Sequence, residues 1–143
     1  MKRIIALALL LATPAHADTE ANKHLAARVF DDLYNKRDFA AAADIYAPDF
    51  VNHGVTRDAS LAEDLAATRY WCAAFPDLHM TVEKEIAEGD LVTILWLGEA
   101  MRNGHPLELR GITIWRVKAG RLAEEWSEFN EATARAAITA TGR

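Results

Sequence analysis

The first half of the chain has the residue spacing of amphipathic helices. A helix is predicted over residues 22–36, because apolar residues recur there at intervals of three and four. Its apolar face comprises Leu25, Val29, Phe30 and Leu33. Asp38 is a suitable N-cap for a second, shorter helix. That helix must stop near Ala47, since Pro48 disfavours the helical conformation of the residue before it.

A third helix carries the strongest local signals. Ser60 and Glu63 form the S-x-x-E pattern of a capping box, and Pro76 marks the end of the helix. The apolar face between these limits comprises Leu61, Leu65, Thr68, Cys72 and Phe75. An extended segment over 50–53 precedes this helix and ends at Gly54.

The second half changes to the pattern of β-strands. Four segments rich in Val, Ile, Thr and Trp predict strands over 78–87, 91–100, 107–117 and 122–129. The short turns between them each contain a glycine, so neighbouring strands are antiparallel. Both faces of 91–97 are apolar, which predicts cover on both sides of the sheet. Helices would cover one side, and a pocket, a dimer partner or both would cover the other.

Helices followed by an antiparallel sheet predict an α+β architecture. A strongly bent sheet wrapped around one long helix forms a cone with an open end, where an apolar cavity is expected to hold a ligand. An alanine-rich tail over 131–140 is predicted to be helical, with Asn130 as its N-cap.

The N-terminus has the three parts of a secretory signal peptide. Lys2 and Arg3 form the positive region, 4–12 is the apolar region, and 15–17 (Ala-His-Ala) fits the cleavage pattern. We therefore expect cleavage after Ala17, a single domain over 18–143, and a periplasmic or secreted location. An uncleaved anchor or a buried first helix is the alternative.

Charge and cysteine content narrow the possible partners. The formal net charge is −5, and loss of Lys2 and Arg3 would make it about −7. No basic patch is present, which argues against nucleic acid and anionic membranes as partners once the signal peptide is removed. Cys72 is the single cysteine, so no internal disulfide can form, and its apolar surroundings predict a buried thiol. No ligand spacing typical of a metal site occurs.

Five segments together resemble one family. They are 49–54 (DFVNHG), 75–78 (FPDL), 87–92 (AEGDLV), 111–117 (GITIWRV) and 120–126 (GRLAEEW). In these segments the chain is similar to the SnoaL-like polyketide cyclase, or ester cyclase, family, over about residues 22 to 130. The resemblance implies the nuclear-transport-factor-2-like cone, with N-terminal helices on a curved antiparallel sheet. It also implies a pocket for a small hydrophobic molecule, acid–base chemistry without metal or cofactor, and a homodimer through the sheet.

The resemblance also assigns positions within the pocket. The acid of the true cyclases falls at Ser127 and their histidine at Thr113, while an aspartate found in many relatives falls at Asn130. None of these three residues can act as an acid or a base. Two other residues remain as catalytic candidates: His53, which titrates near neutral pH, and Glu125, which shares a strand face with Ser127.

The expected substrate-binding residues are therefore mostly aromatic or hydroxyl-bearing. They are Trp71, Trp96, Thr113, Trp115, Ser127 and Asn130. Two functions that involve a ligand stay open. One is an enzyme of the cyclase, isomerase or hydrolase type, with His53 and Glu125 in a shared cavity. The other is a non-catalytic module that binds a small hydrophobic molecule. A third possibility is a sheet that serves dimerisation alone.

Overall fold

The computed structural model describes residues 18–102, 104–130, 132–133 and 135–136. One layer of it is helical. The helix α1 continues directly into a π-helical segment, and a single 3₁₀ turn, Phe39–Ala41, leads into α2. The helical elements are α1 (Thr19–Arg28), the π-helical segment (Val29–Asn35), α2 (Ala42–Ile45) and α3 (Leu61–Ala74).

The second and third helical segments begin where the sequence predicts, while the first begins at Thr19, three residues before the predicted start. The Asp38 side chain accepts a hydrogen bond from the backbone N–H of Ala40 (3.2 Å), as expected of an N-cap. The capping box of α3 is confirmed, because Ser60 Oγ accepts from the N–H of Glu63 and the Glu63 carboxylate accepts from the N–H of Ser60. The second helix ends earlier than expected, at Ile45, since the chain is already extended from Tyr46 onward.

The second layer is a six-stranded sheet in the order β2-β1-β6-β5-β4-β3. All neighbours are antiparallel except β1 and β6, which are parallel. The four predicted consecutive strands are confirmed with somewhat different ends, and the extended segment 50–53 is the second half of β1. The strands are β1 (Tyr46–His53), β2 (Asp58–Ser60), β3 (His79–Glu88), β4 (Leu91–Arg102), β5 (His105–Lys118) and β6 (Arg121–Phe129).

The helices cover the inner face of this curved sheet, and the core lies between the two layers. The largest fully buried side chains are Leu33, Ile45, Phe75, Val92, Ile94, Trp115 and Leu122. Register shifts interrupt the ladders between β3 and β4 and between β5 and β6. Such bulges increase the local twist and bend a sheet, so they contribute to its concave inner face. The α+β cone inferred from the sequence is therefore confirmed.

Three further predictions concern Cys72, Asn130 and the two ends of the chain. The Cys72 thiol is buried, as predicted. Asn130 accepts a hydrogen bond from the N–H of Thr133 (3.1 Å), as an N-cap would. The signal peptide over 1–17 and most of the predicted tail helix 131–140 lie outside the described residues. Within the described part of the chain, no helix has the length and apolar character needed to cross a membrane.

One glycine is required by a close approach across the sheet. Gly111 on β5 pairs with Trp96 on β4, and the Trp96 ring lies over its Cα. A Cβ atom at this position would lie 2.7 Å from Cε2 of that ring and 2.8 Å from the carbonyl oxygen of Glu128. A side chain at residue 111 would therefore displace Trp96.

We predict that Gly111→Ala lowers the free energy of unfolding by about 1–3 kcal/mol, the usual range for overpacking a core. Urea denaturation would measure this decrease in the free energy of unfolding. Gly98→Ala is the matched control: its Cβ would meet Met80 Sδ at 2.9 Å, and this flexible side chain can move aside. Equal losses in the two variants would contradict the role of the Trp96 contact.

Candidate functional site

The cavity lies between the helices and the concave face of the sheet. Its volume is about 260 Å³, and its walls come from the π-helical segment, α3 and strands β1 and β3 to β6. Most of the wall is apolar. The apolar and aromatic lining includes Phe30, Trp71, Phe75, Leu78, Met80, Trp96, Leu107, Leu109, Trp115 and Phe129. A ligand within it would contact aromatic rings extensively.

Glu125 forms the centre of the polar end of this cavity. It lies on β6, is 8 % exposed, and shares the inner face with Ser127, as the period of two predicts. Its carboxyl group receives three hydrogen bonds from the protein. Oε2 accepts from Trp115 Nε1 (2.8 Å), and Oε1 accepts from Ser127 Oγ (3.0 Å) and Asn52 Nδ2 (3.2 Å).

A second, half-buried carboxyl group faces the same space. Asp64, on α3, accepts a hydrogen bond at Oδ1 from Asn52 Nδ2 (2.7 Å). Asn52 lies on β1 directly opposite Glu125 in the parallel pairing with β6. The amide group of Asn52 therefore bridges the two carboxyl groups, and three separate elements meet at this point.

This environment shifts the titration of both carboxyl groups. Burial raises the pKa of Glu125 to about 8, and the nearby charge of Asp64 adds to the rise, although the hydrogen bonds from Trp115 and Ser127 oppose it. Burial also raises the pKa of Asp64 against the hydrogen bond from Asn52. Two neighbouring carboxylates in a dehydrated site cannot both ionise easily, so the pair retains a proton near neutral pH.

Hydroxyl groups complete the polar end. Thr68 Oγ1 donates to the backbone carbonyl of Asp64 (3.2 Å), and Tyr34 lines the cavity beside it. Tyr46 lines the cavity and packs edge-on against Phe50, with ring centroids 4.7 Å apart. Burial raises the pKa of both tyrosines, so their hydroxyl groups stay protonated and available as donors.

A chain of side-chain hydrogen bonds runs along the sheet to Glu125. Trp96 Nε1 donates to Thr113 Oγ1 (3.0 Å), and the hydroxyl groups of Thr113 and Ser127 are 2.6 Å apart. Ser127 then reaches the Glu125 carboxyl group. Neighbouring strands supply this chain, since Thr113 on β5 pairs with Ser127 on β6.

The structure brings together most of the residues predicted from sequence. Six of the eight line the cavity: Trp71, Trp96, Thr113, Trp115, Glu125 and Ser127. His53 and Asn130 are not among the lining residues of this cavity. Asn130 follows the last residue of β6, and its side chain caps the first turn of the tail instead.

His53 lies on the opposite face of the sheet from Glu125. It follows Asn52, and because successive strand residues point to opposite faces, it faces outward. Its ring nitrogens contact the carboxylates of Asp58 (3.2 Å) and Glu124 (3.1 Å), and its ring stacks on Trp126. Desolvation lowers the pKa of His53, but the hydrogen bonds to Glu124 and Asp58 outweigh it and raise the pKa overall. The enzyme hypothesis expected His53 and Glu125 in one cavity. The structure does not bring them together, because their side chains lie on opposite faces of the sheet.

Sequence reasoning missed Asn52, Asp64 and the tyrosines. A signal for Asp64 was present, because Asp64, Thr68, Trp71 and Phe75 recur at steps of four, three and four and so share one stripe of α3. A carboxylate on a stripe with two aromatic residues points toward the core. No local signal reveals Asn52, whose role depends on the parallel pairing with β6. Within the described residues, no group of three or more His, Cys, Asp or Glu side chains is placed to hold a metal ion.

Comparison with known proteins identifies the class. The sequence profile of the SnoaL-like polyketide cyclase family matches residues 24–138. The chain therefore belongs to this family, as its resemblance implied. No curated protein sequence matches it.

Solved structures share the fold at low sequence identity. IdmH from Streptomyces antibioticus, a candidate polyketide cyclase, is 22% identical with a TM-score of 0.69, over 82% of this chain and 97% of that chain. AclR from Streptomyces galilaeus, a candidate hydroxylase, is 19% identical with a TM-score of 0.74, over 87% and 100%. A candidate SnoaL-like polyketide cyclase from Jannaschia sp. is 17% identical with a TM-score of 0.75, over 91% and 97%.

The raised pKa of Glu125 predicts a pH dependence of stability. Between its usual value of 4.5 and about 8, the folded state holds a proton that the unfolded chain has lost. The free energy of unfolding therefore falls as pH rises through this window, by at most about 1.4 kcal/mol per pH unit, and the slope from Glu125 ends above it.

We expect Glu125→Gln to remove most of this slope in urea denaturation measured from pH 5 to pH 9. Glu128→Gln, on the same strand but exposed, should keep it. A slope that is the same in the wild type and in Glu125→Gln would show that Glu125 titrates normally.

Proposed function

We propose that this chain binds a small hydrophobic molecule in the cavity and transfers a proton to or from it through Glu125. One observation carries the proposal: a carboxyl group buried in the wall of an apolar cavity, next to the half-buried carboxyl group of Asp64. A general acid or base works best when its pKa lies near the working pH. The pKa of about 8 for Glu125 meets this condition.

The chemistry available is transfer of a proton at a carbonyl compound or its enol. Protonated Glu125 can donate to an oxygen of the ligand, and the carboxylate left behind can then take a proton from a carbon atom. A cyclase, an isomerase or a hydrolase of small apolar substrates would use such a group. The buried hydroxyl groups of Tyr34 and Tyr46 are further donors close to the carboxyl pair.

The cavity also limits the size and charge of the ligand. A protein cavity of about 150 Å³ holds a benzene molecule, so about 260 Å³ accommodates one or two rings. None of the described lining residues is Lys, Arg or His, and two carboxyl groups are present. Burying an anion beside them would be costly, which favours a neutral ligand.

A non-catalytic binding module is the second candidate function. By the resemblance, the acid of the true cyclases falls at Ser127, and His53 is not among the lining residues of the cavity. Both features favour binding without turnover, because a serine cannot replace the family's carboxylate as an acid and His53 does not face the ligand space. The two functions differ in what Glu125 does to a bound molecule.

Native mass spectrometry of the protein purified from its own host would identify a retained ligand. We expect a neutral molecule of one or two rings. Empty protein that also fails to take up the neutral fluorophore N-phenyl-1-naphthylamine would contradict the binding proposal. Once the ligand is identified, the rate at which its carbon-bound hydrogen is replaced by deuterium in D₂O measures proton transfer by the protein.

We expect Glu125→Gln to slow this exchange by about 10²-fold or more while the ligand still binds. Glu128→Gln, exposed on the same strand, is the control that should leave the rate unchanged. Binding without exchange in the wild type would establish the binding module instead.

We further propose that the protein is exported, with cleavage after Ala17. The charge, length and cleavage pattern of 1–17 support this. Asp18, the residue that would become the N-terminus, is the N-cap of α1 and accepts from the N–H of Ala21 (3.0 Å). The intact mass from the same spectrum reports whether residues 1–17 have been removed.

A homodimer through the outer face of the sheet is also proposed. Apolar side chains lie in the middle of this face, where Leu95 pairs with Ile112 and Ile114 pairs with Trp126. Ile112 is 47 % exposed. Ion pairs lie at both ends of the apolar area, from Arg116 to Asp90 and Glu124 and from Arg110 to Glu83. An apolar centre with a charged rim is the usual anatomy of a protein interface.

We expect Ile112→Lys to convert the dimer to monomers in sedimentation velocity experiments, because a buried unpaired charge opposes association. Val55→Lys is the control: Val55 is 87 % exposed and lies in the connection between β1 and β2. A wild type that is monomeric at micromolar concentration, or a dimer that survives Ile112→Lys, would contradict this interface.

A further inference from the structure

The two oxygen atoms of Glu125 have different surroundings. A carboxylate offers about four lone-pair positions, two on each oxygen. Oε1 accepts two hydrogen bonds, from Ser127 and Asn52, and Oε2 accepts one, from Trp115. Both lone pairs of Oε1 are therefore occupied, and one lone pair of Oε2 remains for a proton.

The hydrogen bond from Ser127 has a fixed direction. The indole N–H of Trp96 can only donate, so Thr113 Oγ1 is the acceptor at that end of the chain. Either hydroxyl can donate across the 2.6 Å between Thr113 Oγ1 and Ser127 Oγ, and when Thr113 is the donor every hydrogen of the chain has an acceptor. The Ser127 hydroxyl is left to donate to Oε1 of Glu125, at 3.0 Å. The reverse arrangement would put a proton on Oε1, donate it to Ser127, and donate the Ser127 hydrogen to Thr113. The hydrogen of the Thr113 hydroxyl, which is 3 % exposed, would then have no hydrogen-bond acceptor among the described residues. The first arrangement is therefore favoured when Glu125 is neutral as well as when it is ionised.

The direction of the hydrogen bond from Asn52 is also fixed. Its two partners, Asp64 and Glu125, are both carboxyl groups, so the NH₂ group must face them. One N–H points to each partner, at 2.7 Å and 3.2 Å, and no N–H is left over. Oε1 therefore cannot lose this donor without breaking the bridge between the carboxyl groups.

We propose that Oε2 of Glu125 is the single proton-transfer atom of the site, and that Trp96, Thr113 and Ser127 are positioning residues that keep the proton off Oε1. The inference rests on the proposed role of Glu125. In the forward step the O–H bond at Oε2 breaks and its proton forms a bond to an acceptor atom of the ligand. The carboxylate that remains keeps its three hydrogen bonds from Ser127, Asn52 and Trp115.

In this proposal Thr113 and Ser127 orient the Glu125 carboxyl group and do not bind the ligand. Although both line the cavity, their hydroxyl hydrogens are used within the chain that ends at Glu125. Neutral Glu125 would then have its C=O bond at Oε1, where two donors converge, and its O–H bond at Oε2. Hydrogen bonds accepted by a carbonyl oxygen lower its stretching frequency, so the two possible proton positions are distinguishable by infrared spectroscopy.

The test is the carboxylic acid C=O stretch of the ligand-free protein near pH 6, assigned to Glu125 by its loss in Glu125→Gln. We expect Ser127→Ala to shift this band to higher frequency, because Oε1 loses one of its two donors. Thr113→Val, which breaks the chain one step earlier, should shift it in the same direction by less. Trp115→Phe removes the donor to the hydroxyl oxygen and should leave the band nearly in place.

The outcomes separate this inference from the proposed function. A band that moves with Trp115→Phe and not with Ser127→Ala would place the proton on Oε1 and overturn the inference, while Glu125 would still be the acid. A missing band would remove the protonated Glu125 on which both proposals depend. If Trp115→Phe fails to fold, Ser127→Ala decides alone: an upward shift supports Oε2, and an unmoved band overturns it.

Discussion

The burial of the Glu125 carboxyl group beside Asp64 is the constraint on which the site depends. Removing a carboxylate from water costs several kcal/mol even after the protein relaxes, and a second carboxyl group increases the cost. The structure offsets it with hydrogen bonds and with a retained proton. Asn52 lies between the two carboxyl groups, and Trp115 donates at 2.8 Å. Since these groups come from β1, β5, β6 and α3, the pairing of the strands and the docking of α3 must all be correct for the carboxyl pair to be tolerated.

The parallel contact between β1 and β6 is the least local of these requirements. It places Asn52 opposite Glu125, although 73 residues separate them. A similar dependence holds for the aromatic wall: the Trp96 ring lies over the bare Cα of Gly111, and its N–H begins the hydrogen-bond chain to Ser127. A single glycine on β5 therefore affects both the shape of the cavity and the electrostatics of its acid. The packing of the sheet and the chemistry of the site are not separable here.

The sequence predicted what depends on neighbouring residues and missed what depends on distant ones. The capping box at Ser60 and the N-cap at Asp38 are local hydrogen bonds, and both were predicted correctly. The alternation along β6 placed Glu125 and Ser127 on one face without knowledge of the partner strands. His53 was expected to share that cavity because its segment resembles the family, but its side chain points outward once β1 pairs with β6. Asp64 was missed because a charged residue on a surface helix usually faces water, and only the docking of α3 turns it inward.

On the correspondence that the resemblance implies, the acid of the true cyclases falls at position 127, and strand geometry allows the carboxyl group of Glu125 to approach that position. Two residues along a strand restore the same face about 7 Å away, a distance that the long glutamate side chain can partly span. In this chain the Glu125 carboxyl group lies within hydrogen-bond distance of the Ser127 hydroxyl, at 3.0 Å. Ser127 thus becomes a donor to a carboxyl group that reaches back toward it. On the implied correspondence, replacement of the family acid by Ser127 removes no acid from this cavity, because Glu125 supplies one. It changes which strand position supplies the carboxyl group, and it makes the orientation of that group depend on the hydroxyl chain through Thr113.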